Sequence, residues 1–448
     1  MRKDLEKFIR LNSVTSKTDA GLAYAVGKRL KAGGFRVSYR KEKRGGTLFV
    51  NVTGVKGTGR SPLLLCAHLD TVPPGDGKKW TRTKGDPWNP TVKGNRVYGL
   101  GAADDKASLA AMLCAGALFR GEELKRPLVI LGTFGEESGM GGARLFTRLW
   151  KGPKPRMVIV GEPTNLEITY RHKGIGVAVI EMESSAGVSG PSYGKAMEKT
   201  FRGREGHSSR PWLGENALEK AMDFLRSVSA KEKNAQVVRL EGGEAANVIP
   251  GRASLVLAKG GPALFPASLL LACHGAVQTV LKKFTAYKDA SFHPSTVTSN
   301  FGMARRSGNT LSLTFDFRLL PGLSMKRIFS DLEKELAKRF SPHVKGFRLK
   351  VWLERDNPPL DGRRDDPCVR FGRRLLRMSG LEERLSVKPA CTEAGIYAEW
   401  GVPAMIFGPG ESAGNIHAPN ESVSLREMER AVRFYACAIR EVCVKETV

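Results

Sequence analysis

Ser61-Pro62-Leu63-Leu64-Leu65-Cys66-Ala67-His68-Leu69-Asp70 is an apolar run that ends on a histidine and an aspartate two residues apart. An uninterrupted apolar stretch this short reads as a strand covered on both faces. Residues two apart on an extended chain project to the same side, so His68 and Asp70 would leave the strand end together. Pro127–Thr133 and Met157–Val160 repeat the apolar pattern, and the Ala/Leu-rich segment Lys106–Arg120 between the first two reads as a helix. Near the C-terminus, Val402–Phe407 reads as another strand, followed by a helix from about Leu425 to Val442. Strands alternating with helices predict an α/β unit: a mostly parallel sheet with helices on both faces.

The middle of the chain has a different pattern. Gly176–Ile180, Ala253–Leu257 and Leu311–Arg318 read as strands, and Gly214–Val228 and Met325–Phe340 as helices. Strands in hairpin order mixed with helices predict an inserted α+β lid or dimerisation domain at 172–344. The catalytic α/β domain is then discontinuous, built from 1–171 and 345–448. The most apolar stretch, Pro262–Val280, contains Pro266, His274 and Gln278, so a buried helix is expected there and not a membrane span.

Lys and Arg number 72 against 45 Asp and Glu, a net charge of +27, which raises the question of nucleic acid. The basic residues are spread along the chain instead of forming a tail, so nucleic acid is not expected as a partner, and the charge reads as a basic surface. One local cluster, Arg40-Lys41-Glu42-Lys43-Arg44 before Gly45-Gly46, reads as a solvated loop. Seven cysteines with no CxxC pair argue against a disulfide framework and a thiolate zinc site. The first residues carry no apolar core of signal-peptide length, and the cytoplasm is the expected compartment.

Ligands gather at the carboxyl ends of strands in open parallel sheets. Five places of that kind carry histidines or acids: His68 with Asp70, Asp104-Asp105 ahead of the Lys106 helix, Glu136-Glu137, Glu162, and His417. Any one of these could be a solvated strand end. Brought together, their carboxylates repel unless a cation lies between them. Imidazole and carboxylate without thiolate suit Zn²⁺, with Mn²⁺ or Co²⁺ as substitutes.

In this order and spacing, through the C-terminal Asn415-Ile416-His417-Ala418-Pro419-Asn420-Glu421, the chain resembles the dinuclear zinc metallopeptidases. That family includes succinyl-diaminopimelate desuccinylase, acetylornithine deacetylase, aminoacylase, carboxypeptidase G and the carnosinase-like dipeptidases. The resemblance implies two zinc ions, one on His68 and Glu162, the other on Glu137 and His417, with Asp104 bridging. It implies Asp70 as the partner that orients His68 and Glu136 as general base. Gly203-Arg204-Glu205-Gly206-His207-Ser208-Ser209-Arg210-Pro211 resembles the family's lid motif, which makes His207 the donor to the oxyanion; read locally, His207 is equally a turn histidine satisfied by Ser208 or Ser209. Arg318 matches an arginine that holds a substrate carboxylate in relatives, its alternative being an ion pair with Asp316. Asn247 is a second substrate-binding candidate, or a turn residue. The loop Phe407-Gly408-Pro409-Gly410 either offers backbone N–H groups to a carboxylate or is a tight turn.

The expected activity is a metal-dependent amidohydrolase acting on an N-acyl amino acid, a small molecule with a free carboxylate. A dipeptidase or carboxypeptidase of the same family is the near alternative, because Asp104-Asp105-Lys106 looks like the dipeptidase branch while Cys391-Thr392-Glu393-Ala394 looks closer to acetylornithine deacetylase. A catalytically silent metal- or nucleic-acid-binding protein is the alternative of another class. The resemblance also implies a homodimer through the lid. Stretches near Ser184–Thr200 and Gly260–Pro294 look inserted, and in some relatives an extended lid takes the place of the second subunit.

Overall fold

The computed structural model describes residues 1–185, 196–259, 265–340 and 346–445. The chain forms two compact units: Met1–Arg171 with Leu360–Val387 and Thr392–Val448, and His172–Pro359 with Lys388–Cys391.

In the first unit, Leu63–His68 lies in the middle of a sheet whose order is Arg36–Arg44, Thr47–Lys56, Leu128–Thr133, Leu63–His68, Met157–Val160, Ala404–Ile406, Ile168–His172 and Leu360–Asp361. Leu63–His68 pairs parallel with both neighbours, and Met157–Val160 pairs parallel with Ala404–Ile406. The flanks are antiparallel. Residues 40–44, expected as a solvated loop, are instead the end of an outer strand. Arg44 faces Thr47 across Gly45-Gly46, whose φ values of 52° and 83° suit the tight two-residue turn that glycines permit. Charged side chains on an outer strand keep it from pairing with other chains, which is why a charge run can sit in a sheet here.

The central strand covers itself on both sides. Leu63, Leu65 and Ala67 pack into a core with residues of the helices Ala20–Ala32, Lys106–Ala117 and Leu425–Ile439. Cys66 points the other way, where its Sγ meets the hydroxyl of Tyr397 on the helix Ala394–Glu399. The expected helices are present with shorter ends: the one from Lys106 stops at Ala117, and the one from Leu425 stops at Ile439.

The second unit is an antiparallel sheet in the order Met197–Arg202, Arg252–Lys259, Ala235–Gly242, Thr298–Ser307, Thr310–Leu319, Gly174–Ser184 and Phe347–Asn357. Its helices are Ala217–Lys231, Ala267–Phe284 and Met325–Arg339. The unit runs to Pro359, past the expected limit at 344, a position that lies outside the described residues. The cause is the strand Phe347–Asn357, which completes the sheet by pairing with Gly174–Ser184 from Phe347↔Ser184 to Asn357↔Ile175. Of the stretches that look inserted, 186–195 and 260–264 lie outside the described residues; the rest of the second is the helix Ala267–Phe284 and the loop after it. No helix among the described residues is long and apolar enough to cross a membrane.

Candidate metal centre

The parallel register decides where the acids go. His68 is level with Thr133, so the chain leaves the neighbouring strand at the same end and reaches Glu136 and Glu137 three and four residues later. Val160 is level with Cys66 on the other side, and the Gly161 N–H donates to the Cys66 carbonyl at 2.7 Å, which carries the chain to Glu162. Ile406 is level with Val160, and its chain continues to His417.

His68 Nε2 lies 2.9 Å from Asp104 Oδ1. His417 Nε2 lies 3.2 Å from Asp104 Oδ2 and 3.0 Å from Glu137 Oε1. One carboxylate therefore divides its two oxygens between two imidazoles. His68, Asp104 and Glu137 each offer a ligand atom within 4.8 Å of the others, and among the described residues this is the donor group of that kind. Glu162 is buried but stands outside that trio; its charge is felt at Glu136. This donor set fits divalent ions: it holds imidazole nitrogens and carboxylate oxygens and no thiolate, and a single His417 nitrogen faces two carboxylates, as a ligand to a shared cation does.

The charges inside the cluster shift one another. Burial works against a charged imidazole at His68, yet the bonds to Asp104 and Asp70 hold it well above the usual histidine range. Burial likewise disfavours charge on His417, but Asp104 and Glu137 overcome it and push His417 up to about 11. Burial would raise Asp104, and the two histidines instead bring it far below the carboxylate range. Glu136 moves the opposite way: burial, then the charges of Glu162 and Glu137, raise it well above an ordinary glutamate.

Asp70 acts through two groups. His68 Nδ1 donates to the Asp70 carbonyl at 2.9 Å, with the carboxylate at 3.6 Å, which fixes the ring so that Nε2 is the nitrogen presented to Asp104 and to a cation bound there. The Asp70 carboxylate itself accepts the backbone N–H groups of Glu136 at 3.0 Å and Glu137 at 3.2 Å. Asp70 thus meets His68 through both its carbonyl and its carboxylate, and the carboxylate also fixes the turn that carries both glutamates.

Two buried acids were not singled out from the sequence. Glu393 accepts hydrogen bonds from Thr133 Oγ1 at 2.8 Å and Cys66 Sγ at 3.3 Å, directly behind the ends of the central strands. Burial pushes it up to about 7. Glu421, four residues past His417, is buried against the Asp104 loop. The only signal for Glu421 in the sequence was its place in the His417 segment. The loop Phe407–Gly410 is not an open anion site: the Gly408 N–H donates to Thr164 Oγ1 at 3.0 Å and the Gly410 N–H to Glu427 Oε2 at 2.9 Å.

The remaining candidates lie in the second unit and meet at Ser208. The Ser208 N–H donates to the Asn247 carbonyl at 3.0 Å, so Asn247 contributes its main chain here. His207 is exposed and accepts at Nδ1 from the Ser209 N–H at 3.1 Å, with Ser209 Oγ at 2.7 Å. Because Nδ1 accepts, the neutral ring carries its proton on Nε2. Arg318 is 2% exposed; its Nε donates to Asp316 Oδ2 at 2.9 Å and its Nη2 to Ser208 Oγ at 2.8 Å, while Ser208 Oγ donates to Asp316 Oδ2 at 2.6 Å. The structure gives Arg318 an ion pair with Asp316 through Nε and a bond to Ser208 through Nη2. Arg318→Ala would strand a buried aspartate and is expected to cost about 3–5 kcal/mol of stability in chemical unfolding; a loss below about 1 kcal/mol would count against the pair.

Residues 64–441 match Peptidase family M20/M25/M40. The acetylornithine deacetylase of Klebsiella pneumoniae (strain 342) is 28% identical over 394 residues, covering 88% of this chain and 83% of that one. That of Proteus mirabilis (strain HI4320) is 26% identical over 405 residues, covering 88% and 83%. In fold, the chain is similar to the aminoacylhistidine dipeptidase of Vibrio alginolyticus, with a TM-score of 0.66 at 16% identity over 100% of this chain and 96% of that one. It is also similar to an M20 family metallo-carboxypeptidase from Sulfolobus solfataricus, with a TM-score of 0.60 at 18% identity over 97% of both chains.

Proposed function

Since this chain belongs to Peptidase family M20/M25/M40, we propose that it is a metal-dependent hydrolase that cleaves the amide bond of an N-acyl amino acid, with Glu136 as the base. The observation that carries the reading is Asp104, whose two carboxylate oxygens face His68 and His417, with Glu137 on the same His417 nitrogen. We assign His68 and Glu162 to one zinc ion, Glu137 and His417 to a second, and Asp104 to both, with cobalt or manganese as substitutes. When bound there, such ions would supply Lewis acidity toward the scissile carbonyl and the attacking water.

The chain's own residues supply the rest. Glu136 accepts the proton of the attacking water and delivers it to the amine nitrogen as the C–N bond breaks, so that one amide and one water become a carboxylate and an ammonium, the water's second proton also ending on the nitrogen. The Asp70 carboxylate holds Glu136 in place through the backbone. His207 donates from Nε2 to the carbonyl oxygen as it gains charge. Arg318 enters as the residue that fixes Ser208, next to His207. Lysines and arginines distributed over the surface speed the arrival of a substrate with a free carboxylate, more so at low salt. A homodimer through the second unit belongs to the same proposal; the outer strand Phe347–Asn357 presents a sheet edge and an exposed Trp352.

Acetylornithine deacetylases among the relatives support the deacylase reading. The acid doublet Asp104-Asp105 favours a dipeptidase as the second reading. A panel of acetylated and succinylated amino acids and dipeptides, offered to the zinc-loaded protein, separates them by the amine released. Turnover of acetylated amino acids above dipeptides is the expected result. Dipeptides alone would establish the second reading, and no turnover by a protein that binds the metal would leave it catalytically silent.

A further inference from the structure

A bridging ligand must be held in one orientation, because each of its oxygens serves a different partner. Asp104 has no regular element to hold it: it sits in the loop Gly99–Asp105, ahead of the helix Lys106–Ala117. Glu421 supplies the missing support. Its Oε1 accepts the N–H groups of Ala103 at 2.8 Å and Asp104 at 2.9 Å, and its Oε2 accepts the Gly101 N–H at 2.9 Å. The Glu421 carbonyl takes the Gly99 N–H as well, at 3.0 Å. One residue thus receives four donors from six consecutive residues of that loop, and its side chain is 2% exposed. The loop is packed to a matching tightness: a Cβ at Gly101, where φ is +76°, would lie 2.7 Å from Thr71 Cγ2.

Glu421 is itself held firmly. The strand that begins right after it, Ser422–Ser424, pairs with Arg96–Tyr98. Asn415 brackets the turn by accepting the Ser422 N–H at 3.0 Å, and Asn420 accepts the Arg82 N–H at 2.7 Å. His417 lies inside this braced turn, at φ +56°. The carboxylate that orients Asp104 and the imidazole that faces Asp104 therefore come from the same short segment.

We propose that Glu421 is a positioning residue of the metal centre, whose carboxylate locks the Asp104 loop and ties that ligand to the turn carrying His417. This rests on the metal-centre reading above. A carboxylate is required because both oxygens accept: a glutamine would set its NH₂ against a backbone N–H, and an alanine would leave three N–H groups without an acceptor.

Zinc titration of wild type, Glu421→Gln and Glu421→Ala, followed by kinetics at saturating zinc, tests this. Outer partners of metal ligands are typically worth about 10–100-fold in affinity or activity, and a loss of that size is expected in zinc affinity. At saturating zinc, kcat falls while KM stays within about threefold, because Glu421 sits behind Asp104 and meets only backbone N–H groups. A purely structural role would lower the melting temperature of the zinc-free protein and leave zinc affinity and kcat of the folded protein unchanged; that result overturns the proposal. If Glu421→Ala does not fold, Glu421→Gln carries the test, since it keeps the shape and one acceptor oxygen. Wild type that takes up no divalent ion overturns the centre itself, whereas zinc-binding wild type matched by both variants overturns only the role of Glu421.

Discussion

Glu136→Gln is expected to lower kcat by about 10²–10⁴-fold, the range general-base catalysis contributes, with metal content and stability unchanged. The substitution preserves shape, and the anchor of this residue is its backbone N–H, donated to Asp70, which an amide side chain does not disturb. What is lost is the ability to accept a proton. Burial and the neighbouring charges of Glu162 and Glu137 raise the proton affinity of Glu136. Glutamine keeps the shape and adds no charge to a crowded group of acids, so the variant should melt no lower than wild type. Steady-state kinetics on the best substrate, alongside elemental analysis for zinc, gives the answer. Activity within a few-fold of wild type at full metal occupancy would sink the assignment of Glu136.

Asp104→Ala should have the second large effect, removing both metal binding and turnover. The Asp104 carboxylate is the only group that meets His68 and His417 at once among the contacts described, at 2.9 and 3.2 Å. Its loss takes one oxygen from each site and leaves two imidazoles facing each other without the charge between them. The fall in zinc affinity should exceed the 10–100-fold expected for partners of ligands. Asp104→Asn, similar in shape but neutral, should lie between the alanine variant and wild type. Zinc stoichiometry by titration checks the first claim. Loss of wild-type activity with a chelator and its recovery on adding zinc checks the second. An alanine variant that still bound two ions per chain would show that the bridge lies elsewhere.

Much of the candidate centre could be read from the chain because its proposed ligands follow short apolar strands. Leu63–His68, Leu128–Thr133 and Met157–Val160 announce themselves as buried by composition, and in parallel pairs the residues just beyond each strand must emerge at one edge. Arg318 was harder. Its sequence neighbours leave open both a substrate contact and an ion pair, and the choice depends on Ser208, 110 residues away. The limit of the second unit was missed for the same kind of reason: Phe347–Asn357 alternates as any outer strand does, and nothing local in it names Gly174–Ser184 as its partner. The charge run at residues 40–44 misled because a strand with one side in water tolerates the composition of a loop.

By itself, then, the sequence determined the α/β architecture of the first unit and pointed to the candidate ligands and the proposed base, since strand burial and metal chemistry are written in composition and order along the chain. Only the tertiary structure decided how those groups are held: the Asp70 carboxylate on the Glu136–Glu137 backbone, Arg318 on Ser208, and Glu421 beneath Asp104. These are hydrogen bonds between segments far apart in sequence. Their partners are chosen by which backbone groups folding brings within reach, and no local pattern encodes that choice.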